Sequence, residues 1–204
     1  METNNNNVKV KKRKFAIDMN APVILWLTII ALVVLLLDLL TPLDMQQLFG
    51  ARRTSMLDPM QYVRLLTHVT AHSGFPHYVG NFMMILAIGP MVEEKYGSFR
   101  LALITLITAF ITGLIHVIFF PSTVVGASGI VFMLILMASF TNIRQGKLPI
   151  TVLLVAVLYI GNEIILGLFR TDNISRISHI VGGLCGAAFG VVYYLGKFKR
   201  RDIV

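Results

Sequence analysis

The chain has 204 residues, 56% of them hydrophobic and only 14% charged, with a formal net charge of +8 and a mean hydropathy of +0.77. A soluble domain carries about a quarter charged residues, so this composition excludes a soluble globule and fits one all-α membrane domain of about six helices. The positive charge stands in short clusters between apolar runs, which excludes nucleic acid as partner, and the single Cys185 excludes an internal disulfide and a multi-cysteine metal site.

In chain order, residues 1–21 form a basic stretch with an Asn run and Lys9, Lys11, Lys12, Arg13 and Lys14, expected as a disordered cytoplasmic tail touching anionic membrane lipids. The first apolar run, Pro22 to Leu40, is longer than a signal-peptide core and ends in Leu40-Thr41-Pro42 without a small-residue cleavage site, so it reads as a retained anchor. Five further spans are expected at His77–Glu93, Arg100–Phe119, Ser128–Asn142, Pro149–Phe169 and Ile177–Gly196, each bounded by Pro, Gly or charge. A basic cytoplasmic tail, 197–204, closes the chain. With the N-terminus inside, thirteen of the eighteen Lys and Arg residues fall on the cytoplasmic side and five, Arg52, Arg53, Arg64, Arg170 and Arg176, fall outside.

That direction has a chemical consequence. The second, fourth and sixth spans run from outside to inside, so their N-terminal ends share one face of the membrane. Those ends carry His77 and Asn81, then Ser128, then His179. If the fourth span is helical from Ser128 to Asn142 it rises roughly 21 Å at about 1.5 Å per residue. In a hydrocarbon core about 30 Å thick, Ser128 then lies roughly 9 Å below the outer boundary. His179, counted from Lys197, stands about 27 Å up. The segment Pro121–Gly126 must therefore enter the protein as non-helical backbone lining a cavity.

Gly126-Ala127-Ser128-Gly129 has two readings. Small residues crowd membrane helix interfaces, and Ile130 stands where a soluble nucleophile elbow needs Gly. At a helix N-terminus, however, a serine presents an unpaired N–H and positive potential to an incoming carbonyl oxygen. His179 precedes Gly182, Gly186 and Gly190, a stripe that lets the last span approach a neighbour closely. If that neighbour is the fourth span, imidazole and hydroxyl meet as a nucleophile and its base. His77 and Asn81, four residues apart, share a helix face as an interhelical polar clasp or as donors to a developing oxyanion. No acidic residue is placed to orient His179, so a dyad is expected. A zinc site at His68, His72 and His77 competes, but no His-Glu-x-x-His pattern occurs and no fourth ligand is evident.

Together these residues resemble the rhomboid family of intramembrane serine proteases over roughly residues 22–196. The carriers are the GxSG motif at Gly126–Gly129, the HxxxN motif at His77–Asn81, and His179 with Gly182 in the last span. Arg64, Thr67, His68 and His72 resemble the end of the family's long first loop, and Glu93 with Gly97-Ser98 resembles its second-helix exit. The resemblance implies a six-transmembrane-helix bundle with a long first external loop, here Thr41 to Pro76. It implies Ser128 as nucleophile, His179 as general base and acid, and His77, Asn81 and the Ser128 N–H as oxyanion donors. Glu93 is implied to be structural, and Arg64, Gly126, Gly129, Phe132 and Gly182 to support the site. Implied substrates are single-span membrane proteins entering past the fifth span and cut near the outer boundary after a small residue, with no cofactor and no metal. The chain departs from the family at Val63, where Trp is frequent, at Phe132, commonly Tyr, and at Ser178, usually Ala.

His116 is expected to be structural, Asn162 and Glu163 to sit near the lateral entry route, and Asp38 to reach the interface. A catalytically inactive rhomboid-like protein that binds transmembrane helices is the alternative, and a small transporter a third reading without visible inverted repeats. The short N-terminus suggests a minimal bacterial plasma-membrane form with both termini cytoplasmic. The sequence assigns no oligomeric state.

Overall fold

The computed structural model describes residues 19–140, the separate positions 150, 154, 157, 158 and 161, and residues 174–201. The described elements are all helical: α1 (Pro22–Leu40), α2 (Met45–Phe49), α3 (Pro59–Thr67), α4 (Phe75–Tyr96), α5 (Ser98–Phe119), α6 (Ser128–Phe140) and α7 (Ile174–Arg201). Four stretches, Pro22–Leu40, Phe75–Tyr96, Ser98–Phe119 and Ile177–Gly196, are long and apolar enough to cross a membrane. The chain is an integral membrane protein. The expected fifth span, with Asn162, Glu163 and Arg170, lies outside the described residues apart from the five separate positions, which are helical.

α1 begins at a proline, which needs no N–H partner at the first helical position. Its next two N–H groups donate to Glu93, Val23 N to Oε1 at 3.0 Å and Ile24 N to Oε2 at 3.1 Å. Glu93 comes from the end of α4 and is 2% exposed, so a buried carboxylate there is matched to a helix N-terminus. The two helices cross tightly: a Cβ on Gly89 would stand 2.5 Å from Ile24 Cδ1. At the other end of α1, Asp38 accepts from Met45 N at 2.7 Å and from Gln46 Nε2 at 3.3 Å. Asp38 thus ties α1 to the start of α2, a partner the sequence did not disclose.

Several helix ends differ from the expected bounds. α4 extends past Glu93 to Tyr96, because Glu94 and Lys95 favour helix although they end the apolar run. It stops at Gly97, whose φ of 87° suits glycine, and α5 starts at Ser98, two residues before the expected Arg100. α7 starts at Ile174, before the expected Ile177, and carries the basic residues from Lys197 to Arg201 as helix, where a tail was expected. α6 is described to Phe140, and the expected end at Asn142 lies outside the described residues.

α6 is the centre of the bundle. Of its 13 residues, Gly129 to Val131 and Met133 to Met137 are buried, so it is apolar on every face. Its described part is about 20 Å long. α7 lies along it backbone to backbone. A Cβ on Gly182 would stand 2.0 Å from Gly129 O, one on Gly186 2.3 Å from Met133 O, and one on Gly190 2.7 Å from the Phe140 ring. The glycine stripe therefore faces α6, as the spacing anticipated.

Gly182→Val should drive α6 and α7 apart and lower stability by about 3 kcal/mol or more, since nothing in a backbone contact can yield cheaply. Gly183→Ala, whose Cβ would meet only Leu136 Cδ2 at 3.8 Å, should change it little. Thermal denaturation in detergent compares the two. Equal melting temperatures would show that the close contact is not limiting.

Candidate active site

Ser128 is the first residue of α6, and the chain reaches it through non-helical backbone from Phe120 to Ala127. Buried non-helical backbone needs partners for its polar groups. Val124 pairs with Ala51 across an antiparallel bridge, N to O at 2.9 and 3.0 Å. Gly126 N donates to His68 O at 2.9 Å, and Ala127 N donates to His72 Nε2 at 3.4 Å. Ala127 O accepts from Ile130 N and Val131 N and so starts the helical ladder. The N–H of Ser128 belongs to the first turn, where no intrahelical acceptor exists.

Gly126 adopts φ 117°, a conformation that disfavours any side chain. The room for one is also taken. A Cβ there would stand 2.7 Å from His77 Cε1, 2.8 Å from His77 Nε2 and 3.6 Å from Asn81 Nδ2. Both α4 side chains therefore face the turn that leads into Ser128. Asn81 is 7% exposed, and its Nδ2 has no hydrogen-bond partner among the described residues.

His179 arrives on α7. Its ring stacks on Phe132 with centroids 4.2 Å apart and planes 13° from parallel. Phe132 is one turn beyond Ser128, so the stack holds the imidazole against the start of α6. The backbone agrees: a Cβ on Gly129 would lie 3.2 Å from Ser178 O, and Gly182 abuts Gly129 O. The residues before and after His179 thus bracket the residue after Ser128.

The structure accordingly brings together Ser128, Gly126, Gly129, Phe132, His77, Asn81, His179 and Gly182 from three helices and one loop. It places Arg64 and Glu93 elsewhere. Arg64 staples the 41–74 segment, its Nε donating to Leu48 O and its Nη1 to Asp58 Oδ2, both at 3.1 Å, while Glu93 caps α1. Asp58 is in turn the cap of α3, and its carboxyl is held below the usual range, first by the Met60 N–H. His116 Nε2 meets Ser122 O at 2.8 Å, which anchors the start of the loop. Cys185 is free and half-buried against the bundle.

His68, His72 and His77 do not converge. His68 Nε2 lies 3.0 Å from Ala109 O, and His72 packs edge-on to His77 with centroids 5.0 Å apart. Among the described residues no group of three or more His, Cys, Asp or Glu side chains is arranged to hold a metal ion. What the sequence did not disclose is that His72 supports the Ala127 N–H and Ser73 contacts His77. A histidine in a largely apolar chain was the available signal for the first.

The rhomboid domain family model matches residues 59–196 of this chain. Among curated proteins the chain is similar to rhomboid protease GluP of Bacillus subtilis (strain 168), 28% identical over 156 residues that cover 75% of this chain and 31% of that protein. It is similar to rhomboid-related protein 2 of Mus musculus, 29% identical over 64% of this chain and 48% of that protein. It is also similar to RHOMBOID-like protein 4 of Arabidopsis thaliana, 33% identical over 63% of this chain and 33% of that protein. The chain thus spans a third to a half of the length of these relatives.

The loop histidines give the site an acid limit. Burial pushes both His68 and His72 down to about 4, the nearby His77 adding to the effect at His72. Their values are lower folded than unfolded, so the unfolded chain binds more protons between pH 6.5 and 4. The stability they confer is fully present above pH 6.5 and drains as pH falls toward 4, by on the order of 3 kcal/mol for His68. Melting temperature should therefore fall steeply over that window, and less so in His68→Gln. A flat profile in the wild type would contradict this.

Proposed function

This chain belongs to the rhomboid family, and we propose that it is an intramembrane serine endopeptidase acting through a Ser128–His179 dyad. The observation that carries the reading is the backbone contact of Gly129 with Gly182, which sets the start of α6 against the start of the apolar stretch of α7. The matched rhomboid domain, residues 59–196, includes His77, Asn81, Ser128 and His179.

In this reading His179 accepts the Ser128 hydroxyl proton as Oγ attacks the scissile carbonyl. Negative charge then develops on the carbonyl oxygen. The Ser128 N–H, the His77 ring and the Asn81 amide are its donors. The buried Nδ2 of Asn81, without a partner among the described residues, suits that role, because a donor so placed can serve an incoming oxygen. Collapse of the intermediate expels the amine, which takes its proton from His179, and leaves an acyl-enzyme on Ser128. Water, activated by the same imidazole, hydrolyses the ester. Phe132 keeps the ring aligned for both transfers by stacking.

The rest of the architecture is part of the same proposal. The membrane core is residues 22–196, six spans with residues 41–76 as a long external loop, and both termini are cytoplasmic. The compartment is a bacterial plasma membrane. Substrates are single-span membrane proteins that enter past the fifth span and are cut near the outer boundary after a small residue. Rhomboid protease GluP is named a protease, which favours catalysis over an inactive helix-binding role.

A fluorescent fluorophosphonate should label the detergent-purified wild type and neither Ser128→Ala nor His179→Ala. Cleavage of a model transmembrane substrate in lipid should fall at least 10³-fold in both variants, as expected when a member of a nucleophile–base pair is removed. A folded wild type that neither labels nor cleaves would support the helix-binding role instead.

A further inference from the structure

Two histidine rings beside the site face groups whose hydrogen-bonding role is fixed, and this determines where their protons sit. A main-chain N–H can only donate and a main-chain carbonyl can only accept. His72 Nε2 receives the Ala127 N–H at 3.4 Å, so this nitrogen carries the lone pair. The proton of the neutral ring is then on Nδ1, and Nδ1 lies 3.3 Å from an obligate acceptor, Thr70 O. Both ends of the ring agree.

His77 is arranged the opposite way. Ser73 N donates to His77 Nδ1 at 3.5 Å, and the Ser73 hydroxyl lies 3.0 Å from the same nitrogen. Nδ1 therefore holds the lone pair, the hydroxyl donates to it as well, and the neutral ring is protonated on Nε2. Nε2 is the atom that faces the turn into Ser128, where a Cβ on Gly126 would stand 2.8 Å from it. The local backbone makes this possible. Gly74, at φ 141°, redirects the chain and Pro76 opens α4, which leaves Ser73 just outside the helix and four residues before His77.

We propose that Ser73 is a positioning residue that locks His77 as its Nε2–H form, so that this N–H is directed at the turn where the oxyanion develops. The inference rests on the hydrolase reading for its catalytic part, while the protonation state itself is independent of it. With the proton on Nδ1 instead, two N–H groups would confront each other at Ser73. The Nε2 lone pair would also point at developing negative charge. Ser73 belongs to none of the motifs noted in the sequence, and it is an exposed residue whose replacement does not disturb the core.

Nitrogen NMR of the full chain labelled with ¹⁵N-histidine, in lipid at neutral pH, tests the lock. The wild type should show His77 protonated on Nε2 and His72 on Nδ1, the second ring serving as an internal control. In Ser73→Ala the Nδ1–H form of His77 should gain about fivefold, the worth of one ordinary hydrogen bond. With it, kcat on a model transmembrane substrate should fall in step with the Nε2–H population that remains, by less than fivefold, at unchanged KM, since the donor acts only in the transition state. Ser73→Thr should restore both. A wild type with His77 protonated on Nδ1 overturns the proposal whatever the variants do, and so does Ser73→Ala with wild-type ring signals and wild-type kcat. A shifted ring with unchanged kcat overturns the catalytic part. A wild type with His77 on Nε2–H that neither cleaves substrate nor labels with fluorophosphonate sinks the hydrolase reading and leaves the lock standing.

Discussion

The contact of α6 with α7 at Gly129 and Gly182 is the constraint on which the site depends. Hydrocarbon gives no hydrophobic drive for two apolar helices to associate, so their approach rests on dispersion contacts between backbones that lack side chains. Gly182, Gly186 and Gly190 supply that surface, and each would clash if a methyl were added. Because the glycines follow His179 in register, the contact that joins the helices also sets the ring against the start of α6. The ring's stack on Phe132 is then one orientation device the geometry displays directly.

The backbone that leads into α6 is not helical, and where such backbone is buried its polar groups must be satisfied by protein. Four backbone groups on three loop residues find partners on the 41–74 segment: Ala51 N and O for Val124, His68 O for Gly126 and His72 for Ala127. That segment is in turn fixed by Arg64, by Asp58 and, through α2, by Asp38. The segment between α1 and α4 is therefore a scaffold for the turn before Ser128. Its burial of two neutral histidines gives it a natural failure point in acid, and the same burial lets His72 serve as an acceptor at neutral pH.

The sequence revealed what depended on period and direction. Ser128 and His179 stood out because alternate spans must begin on the same side, His77 and Asn81 because four residues make one helical turn, and the glycine stripe because it repeats at that same interval. Features made by tertiary contact were hidden. Helices α2 and α3 are 5 and 9 residues long, too short for a periodic signal, and were read as loop. Asp38 looked like an interfacial charge because its partner, the Met45 N–H, exists only once α2 has folded back. Ser73 carried no signal at all, since its meaning lies in the nitrogen it touches.

Packing alone does not account for what gathers at Gly126. Ordering a glycine, which loses more conformational freedom on folding than any other residue, costs about 0.5–1 kcal/mol relative to Ala, and an unpartnered buried amide costs about 1–3 kcal/mol. Both occur within a few ångströms of each other, at the turn before Ser128 and not in a helix-to-helix contact. A protein that only held transmembrane helices would gain by relaxing both, for instance with an apolar residue at Asn81 and a helical one at Gly126. Local costs that bring no packing in return are characteristic of sites where a ligand or a transition state supplies the missing partner. In the endopeptidase reading proposed above, a carbonyl oxygen acquiring negative charge beside Ser128 is such a partner, and Asn81→Leu should then stabilise the fold while cutting turnover. That opposite movement of melting temperature and kcat would separate a donor from a structural clasp, for which both would fall together.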